Sequence, residues 1–518
     1  LVLLQADDVI ARPHGFRAEA PAETFSGTPI GETSNRDQAL SRAIVRQLNA
    51  AAQHHRVCGC EARPTEALHL HSRRVSVLIW AIPISNVHDM TAMTETRERY
   101  APQKPETLAA YLSGIGRVRA ILGGDPAAWT IAEVGDGNLN LVFIVKGPKG
   151  GVAVKQALPY VRLVGESWPL PLSRAHYEHM ALSEQARLTG RLTPEIHHYD
   201  ERQALIVMEL LEPHIIMRRG MIAGVEYPKF ANDISTFMAH TLYFTSDLAL
   251  AAEKKKAMIA AFAGNTALCK ITEDLIFTDP YRVAELNRWT SPQLDAYAAR
   301  WREDGDLKVA VSRLKLRFLS SAEAMLHGDL HTGSVMLTPE DTRVIDPEFA
   351  FMGPMGFDVG AVIANFLLNY FSQDGHESEP GGRESYRNWV LATVERIWEL
   401  FREKFLALWR ENPTGDAYPV SLFGGPAGER RLEAERQAYM DRLWADTVGF
   451  AAAKMIRRIL GLAHNIDLEW IADKDVRATC EARALTLARD MMVNTASYPS
   501  IQAVTEAARR TRRDMKRY

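Results

Sequence analysis

Cysteine is scarce in this 518-residue chain, which has only Cys58, Cys60, Cys269 and Cys480. Four thiols in so long a chain build no disulfide framework and suit a reducing compartment, so a cytoplasmic protein is expected. Long apolar runs are also missing: Val75 to Ile84 is too short for a membrane span and contains Pro83, so no transmembrane helix is expected. Charge of one sign is not in excess, since 61 basic residues face 64 acidic ones, and no nucleic-acid partner is implied. Methionine is absent before Met90, and the chain opens on Leu1. Residues 1–92 therefore read as a poorly ordered extension, with the working protein starting at Met90 or Met93. A transit peptide fits poorly with Asp7, Asp8 and several glutamates. His54, His55, Cys58, Cys60, His69 and His71 invite a metal site, but Cys-Gly-Cys lacks the usual zinc spacing. Ala39 to Ala52 reads as a short helix without implied function.

What is present is concentrated in two motifs. The first is His327-Gly328-Asp329-Leu330-His331-Thr332-Gly333-Ser334, followed by Asp346-Pro347-Glu348-Phe349. An Asp on a tight loop beside a small Gly is placed to orient a hydroxyl and receive its proton, and Asp329 is that residue. Val335 to Leu337 and Val344-Ile345 read as short strands around a polar turn, which returns Asp346 and Glu348 to the same place. An Asp-x-Glu pair beside nucleotide phosphates is a sensible magnesium site. The bland alternative is a surface hairpin with incidental acids.

The second motif is Gly135-Asp136-Gly137-Asn138-Leu139-Asn140-Leu141-Val142-Phe143, with Lys155 one strand further on. Glycines let backbone amides approach phosphate oxygens, and a strand lysine supplies positive charge, so Gly135, Gly137, Asn138 and Lys155 are expected to bind ATP. Each feature alone is weak, since most Gly-x-Gly turns are ordinary hairpins. Their order raises their weight: glycine turn, strand lysine, catalytic Asp, then metal acids is the order of a protein-kinase-like fold.

Ser173 opens a helix towards Arg187, on which Glu178 is the expected partner of Lys155 and Glu184 the solvated alternative. Leu205 to Leu211 reads as an apolar strand leading to the crossover between lobes. Adenine would meet main-chain atoms of Glu209 and Leu211 there. A helix is expected over Thr107 to Leu122. Beyond Pro213, amphipathic helices are expected near Phe230 to Leu250, Val309 to Met325, Trp389 to Trp409 and Leu432 to Leu462. The segment from Asn412 to Gly428 reads as loop, and no internal repeat is evident.

The stretches HGDLHTGS, DPEFAF with GPMGFDVGA, GDGNLNLVF, VAVKQALPYVR with GESWPL, and MELLEPHIIMRRGMIAG resemble the methylthioribose kinase family. That family belongs to the protein-kinase-like superfamily of small-molecule kinases and is akin to aminoglycoside and choline kinases. The resemblance runs from about Tyr100 to about Asn494. It implies a bilobal α+β fold, with an antiparallel-sheet nucleotide lobe over 93–211 and a helical catalytic and substrate lobe over 212–518. It also implies ATP-dependent phosphorylation of the anomeric hydroxyl of S-methyl-5-thioribose in methionine salvage, and a homodimer. Arg457 and Arg458 would face the sugar and the moving phosphate. Without the resemblance they read as solvated arginines on a helix flank, because neighbouring positions point about 100° apart.

Asp358 reads as a buried acceptor for backbone amides of the catalytic loop, His327 as a loop-ordering residue, and His464 as structural. The role of His331 stays open. Ser334 stands where related kinases place a metal-binding Asn, and Glu348 is the plausible replacement; Pro347 restrains the backbone beside it. Two other functions are weighed. A kinase for an amino alcohol or aminoglycoside would want an acidic acceptor pocket, which the twin arginines oppose. A nucleotide-binding pseudokinase would have lost Lys155, Asp329 or the metal acids, and all are present.

Overall fold

The computed structural model describes residues 71–72, 75–76, 100–134, 139–161 and 165–515. The chain divides into two units, one holding Glu98–Tyr518 and the other Asp7–Arg97. In the second, the described residues form one antiparallel pair, His71–Ser72 with Val75–Ser76. The other expectations for residues 1–92, including the helix over Ala39 to Ala52, lie outside the described residues.

The larger unit begins with a five-stranded antiparallel sheet made of β1 (Thr130–Glu133), β2 (Asn140–Lys146), β3 (Gly151–Ala157), β4 (Ile196–Asp200) and β5 (Leu205–Glu209), ordered β1-β2-β3-β5-β4. Alternation along the central strands separates two faces. Leu141, Phe143, Val145, Val152, Val154, Leu205 and Val207 form one apolar face, covered by Leu108, Leu112, Val118, Leu122 and Trp129. Most of this cover comes from the helices Pro105–Ser113 and Gly116–Leu122. One continuous helix was expected there. Ile115, between Gly114 and Gly116, is extended instead, and the break lets two short helices lie across a twisted sheet. On the opposite face, Lys155 stands between Val142 and Ile206 in register, beside an apolar cluster of Ala153, Ile206 and Met208.

After β5 the unit is mainly helical. At its centre is the helix Gly356–Ser372, mostly apolar and buried at every position. It packs against the helix Gly425–Leu460. Glycine makes that packing close: a Cβ at Gly356 would lie 2.8 Å from the Thr447 amide nitrogen. A Cβ at Gly360 would lie 2.7 Å from the Thr447 carbonyl oxygen and 2.8 Å from the Ala451 nitrogen. The long helix starts at Gly425, inside the stretch expected to be loop, because Pro426 is well tolerated in a first helical turn. Other helices shift modestly from expectation: Phe230–Phe244, Gly305–Ser320 and Glu384–Glu411 are helical, whereas Ala324–Met325 pairs as strand with Met352–Gly353. The acidic loops flank a hairpin of Val335–Leu337 with Thr342–Val344. Among the described residues, no helix is long and apolar enough to cross a membrane.

Candidate active site

Two clusters of buried charge line the space below the sheet. The first joins both motifs. Lys155 Nζ lies 2.7 Å from Glu178 Oε1 and also contacts Asp346 Oδ1. Glu178 is carried by the helix Arg174–Thr189, whereas Glu184 is turned outward to Arg187. Glu348 Oε2 accepts from Asn140 Nδ2 at 3.1 Å and lies 3.3 Å from Arg174 Nε. Glu178, Asp346 and Glu348 each offer an oxygen within 4.8 Å of the others, and all three are buried. Burial pushes the Glu178 carboxyl up to about 7, against the pull of Lys155 and with the help of Asp346 and Glu348. Burial would raise Asp346 too, but Lys155 outweighs it and holds that carboxyl below its usual range. Burial opposes charge on Lys155, and Asp346, Glu178 and Glu348 together overcome it, so the ammonium is firmly charged.

Backbone shape holds these acids in place. Asp346 has φ +69°, a left-handed conformation that Asp accepts better than most side chains. Asn265 Nδ2 donates to the carbonyls of Glu348 and Ala350, both at 2.9 Å, fixing the next residues. Gly328 has φ +83°, and a Cβ there would meet the Phe349 carbonyl oxygen at 2.1 Å, so only glycine lets the two acidic loops touch. Asp358 ties the catalytic loop down, accepting from the amides of His327 at 2.6 Å and Gly328 at 3.1 Å. His327 orders the loop as well, its Nε2 lying 2.9 Å from the Ile345 carbonyl oxygen. The Ser334 hydroxyl donates to the Asp329 carbonyl at 2.9 Å, which commits its proton to loop shape.

The second cluster surrounds Asp329. Lys454 Nζ is 3.1 Å and Arg458 Nη2 3.8 Å from Oδ1, and His331 Nε2 is 3.1 Å from Oδ2. Burial would raise this carboxyl, but His331, Lys454 and Arg458 together hold it well below the usual carboxylate range. His331 is driven down to about 3, mainly by burial, so its ring is neutral at physiological pH. Burial lowers Arg457 to about 9, and Arg458 adds to the effect. Arg457 Nε and Nη1 and Arg458 Nε are buried without hydrogen-bond partners among the described residues. A positive cluster with unused donors is an anion site in waiting.

Gly135, Gly137 and Asn138 fall outside the described residues; Lys155, Glu178, Asp346 and Glu348 come together in the first cluster, and Asp329, Arg457 and Arg458 in the second. Glu209 ends β5, and its amide is already engaged, donating to the Glu195 carbonyl at 2.8 Å. Its side chain accepts from Arg343 Nη1 at 2.8 Å. Leu211 joins Ile216, Met336 and Ile345 in an apolar patch. His464 is structural, lying 2.7 Å from Glu469 and 2.9 Å from the Arg288 carbonyl.

Sequence reasoning passed over four residues. Lys454 was legible in the spacing Lys454-x-x-Arg457-Arg458, which shares one helix face. Asn140 lies inside the glycine motif itself. Arg174, fully buried, donates to the carbonyls of Leu158, at 2.5 Å, and Leu139, and to Asn140 Oδ1 at 3.1 Å. Arg218 Nε donates to Thr332 Oγ1 at 3.1 Å and its Nη2 to Asn365 Oδ1 at 2.9 Å. Nothing in local sequence marks either arginine as buried.

Comparison with known proteins agrees with this geometry. The profile of the phosphotransferase enzyme family matches residues 130–389, which span β1 through the acidic loops. The chain is 46% identical over 408 residues to methylthioribose kinase 1 of Oryza sativa subsp. japonica, covering 78% of this chain and 94% of that one. It is 45% identical over 412 residues to methylthioribose kinase of Escherichia coli O45:K1 (strain S88 / ExPEC), covering 79% and 98%. With a kinase-like sheet lobe, a helical lobe and such extensive identity, the chain belongs to the methylthioribose kinase family of small-molecule phosphotransferases.

Proposed function

We propose that the chain phosphorylates the anomeric hydroxyl of S-methyl-5-thioribose with ATP, releasing the 1-phosphate and ADP, and so serves methionine salvage. The observation that carries this reading is Asp329 set 3.8 Å from Arg458, in a cluster whose arginine donors lack partners among the described residues. The names of the relatives supply the substrate. Asp329 orients the hydroxyl and takes its proton. A carboxylate held so far below its usual range is a weak base. It suits an anomeric hydroxyl, which is more acidic than an ordinary alcohol, and a transition state in which the proton moves late. Arg457 and Arg458 direct fixed donors at the transferring phosphoryl group, where stabilisation costs no reorganisation. Lys155 binds the non-transferred phosphates. Main-chain atoms of Glu209 and Leu211 take the adenine edge, and Met208 shapes the pocket.

Magnesium fits the carboxylate cluster, because hard oxygen donors at short mutual distance suit it. Asp346 and Glu348 would hold the ion, with Glu178 close by, and when bound it neutralises phosphate charge. The resemblance further implies a cytoplasmic homodimer, and the free thiols of Cys269 and Cys480 accord with a reducing compartment.

An ADP-release assay with methylthioribose, ribose and choline tests the assignment. Methylthioribose is expected to be turned over far faster than either alternative, and Asp329→Asn to lose that turnover. Equal rates on all three acceptors would remove the substrate assignment, and an unimpaired Asp329→Asn enzyme would remove Asp329 from its role.

A further inference from the structure

Lys454 lies one helical turn before Arg457 and Arg458, so the three side chains share one face of the long helix. Their situations differ. The arginines keep buried donors free, at Arg457 Nε and Nη1 and Arg458 Nε. Lys454 instead has its ammonium 3.1 Å from Asp329 Oδ1 and 4.3 Å from the centre of the Phe357 ring, with a side chain only 3% exposed. His331 meets the other carboxylate oxygen. The Gly333 amide donates to His331 Nδ1 at 2.8 Å, and Arg218 Nη2 approaches the same atom at 3.2 Å. Two donors on Nδ1 leave the ring proton on Nε2, 3.1 Å from Asp329 Oδ2.

We propose that Lys454 is the positioning residue for Asp329: it fixes Oδ1 while His331 meets Oδ2, keeps the base ionised, and leaves Arg457 and the Nε of Arg458 free for the phosphoryl group. This inference rests on the phosphoryl-transfer reading above. A compact ammonium suits the task, since it supplies charge at one point, whereas the planar forks of the arginines suit phosphate. The groups that face Lys454 are Asp329, Arg457 and Arg458, with Asp358 close by. Burial and the two arginines bring Lys454 down to about 8, Asp329 opposing them, so the ammonium persists at neutral pH and fades above it. Without that charge the carboxylate would turn to the arginines and occupy the donors that phosphate needs.

The test compares wild type with Lys454→Met and Lys454→Arg in steady-state kinetics from pH 3 to 9. Lys454→Met is expected to lower kcat about ten- to a hundredfold at pH 7, with KM for ATP changed less than about twofold. Its acid limb is expected to move up by roughly one to three pH units, the effect of removing an opposite charge from a carboxylate. Lys454→Arg should restore the acid limb. If Lys454→Met does not fold, Lys454→Gln, also uncharged, carries the same measurement. A second readout needs no substrate: the 13C-carboxyl signal of Asp329, identified by its loss in Asp329→Asn, should titrate higher in the Met or Gln variant. An unmoved acid limb and an unmoved carboxyl titration would overturn the proposal. A wild type inactive on methylthioribose would overturn the functional reading instead, and the carboxyl titration would still decide the role of Lys454.

Discussion

Replacing Gly360 with alanine separates stability from activity in a way that few substitutions in this molecule would. The new methyl would stand 2.7 Å from the Thr447 carbonyl oxygen and 2.8 Å from the Ala451 nitrogen. Both are backbone atoms, so no rotamer change can relieve the contact. Ordinary contact begins near 3.4 Å, and the two helices must therefore part by about 0.7 Å or more. Overpacking of this kind costs about 1–3 kcal/mol, and alanine's better helix propensity returns about 1 kcal/mol, so a net loss of about 1 kcal/mol is expected. The effect on catalysis should be larger. Ala451 lies one turn before Lys454, so a shift of the long helix carries Lys454, Arg457 and Arg458 away from Asp329, and misplacement by about 1 Å can cost about a hundredfold in rate. Thermal melting and ADP-release kinetics on Gly360→Ala, with Gly305→Ala as a helical control that meets no atom within 4 Å, supply the measurement. A Tm lowered by a few degrees with kcat/KM down tenfold or more is expected; unchanged kcat/KM in Gly360→Ala would refute the link from helix spacing to catalysis.

Two further outcomes follow from the site and its surroundings. Asp358→Ala leaves the amides of His327 and Gly328 without their acceptor and should cost about 2–5 kcal/mol in urea unfolding, together with most activity. Glu469 is held down to about 2 because His464, Arg288 and Arg477 outweigh the effect of burial. Its folded value lies below the unfolded one, so its stabilisation is present above about pH 4.5 and is lost as pH falls towards 2. Glu469→Gln should therefore cost about 1–3 kcal/mol at pH 7 and flatten the acid limb of a stability profile over that window.

How much of this was legible in the sequence depends on the kind of signal each part leaves. The glycine turn running into the apolar run Leu141 to Val145, with Val152 to Lys155 following, marks a hairpin of strands, and that pattern is local, so it could be read directly. The Asp329 and Asp346 loops were legible for a similar reason, since their chemistry sits in contiguous residues. Glu178 required a choice between two glutamates on one helix, and the burial of one and exposure of the other follow from where that helix meets the sheet. Arg174 and Arg218 were missed because a lone basic residue in a helix looks the same whether it faces solvent or a buried group, whereas Lys454 is marked only by its spacing to Arg457 and Arg458. The break between Ser113 and Gly116 and the early start of the long helix at Gly425 were missed because glycine and proline read as interruption, whereas tertiary packing decided both.

Arg174 has a mechanical consequence. One buried guanidinium reaches the carbonyls of Leu139 and Leu158, the side chain of Asn140 and, beyond the sheet lobe, Glu348. Lys155 makes a similar span to Asp346 a short distance away. Removing either partner of such a pair would strand a buried charge at a cost of about 3–5 kcal/mol, so both contacts fasten the sheet lobe to the acidic loop. The two lobes thus behave as jaws pinned at the root. A pivot about these fastenings would keep the spacing of the acids at the base, whereas sliding one lobe past the other would break both contacts.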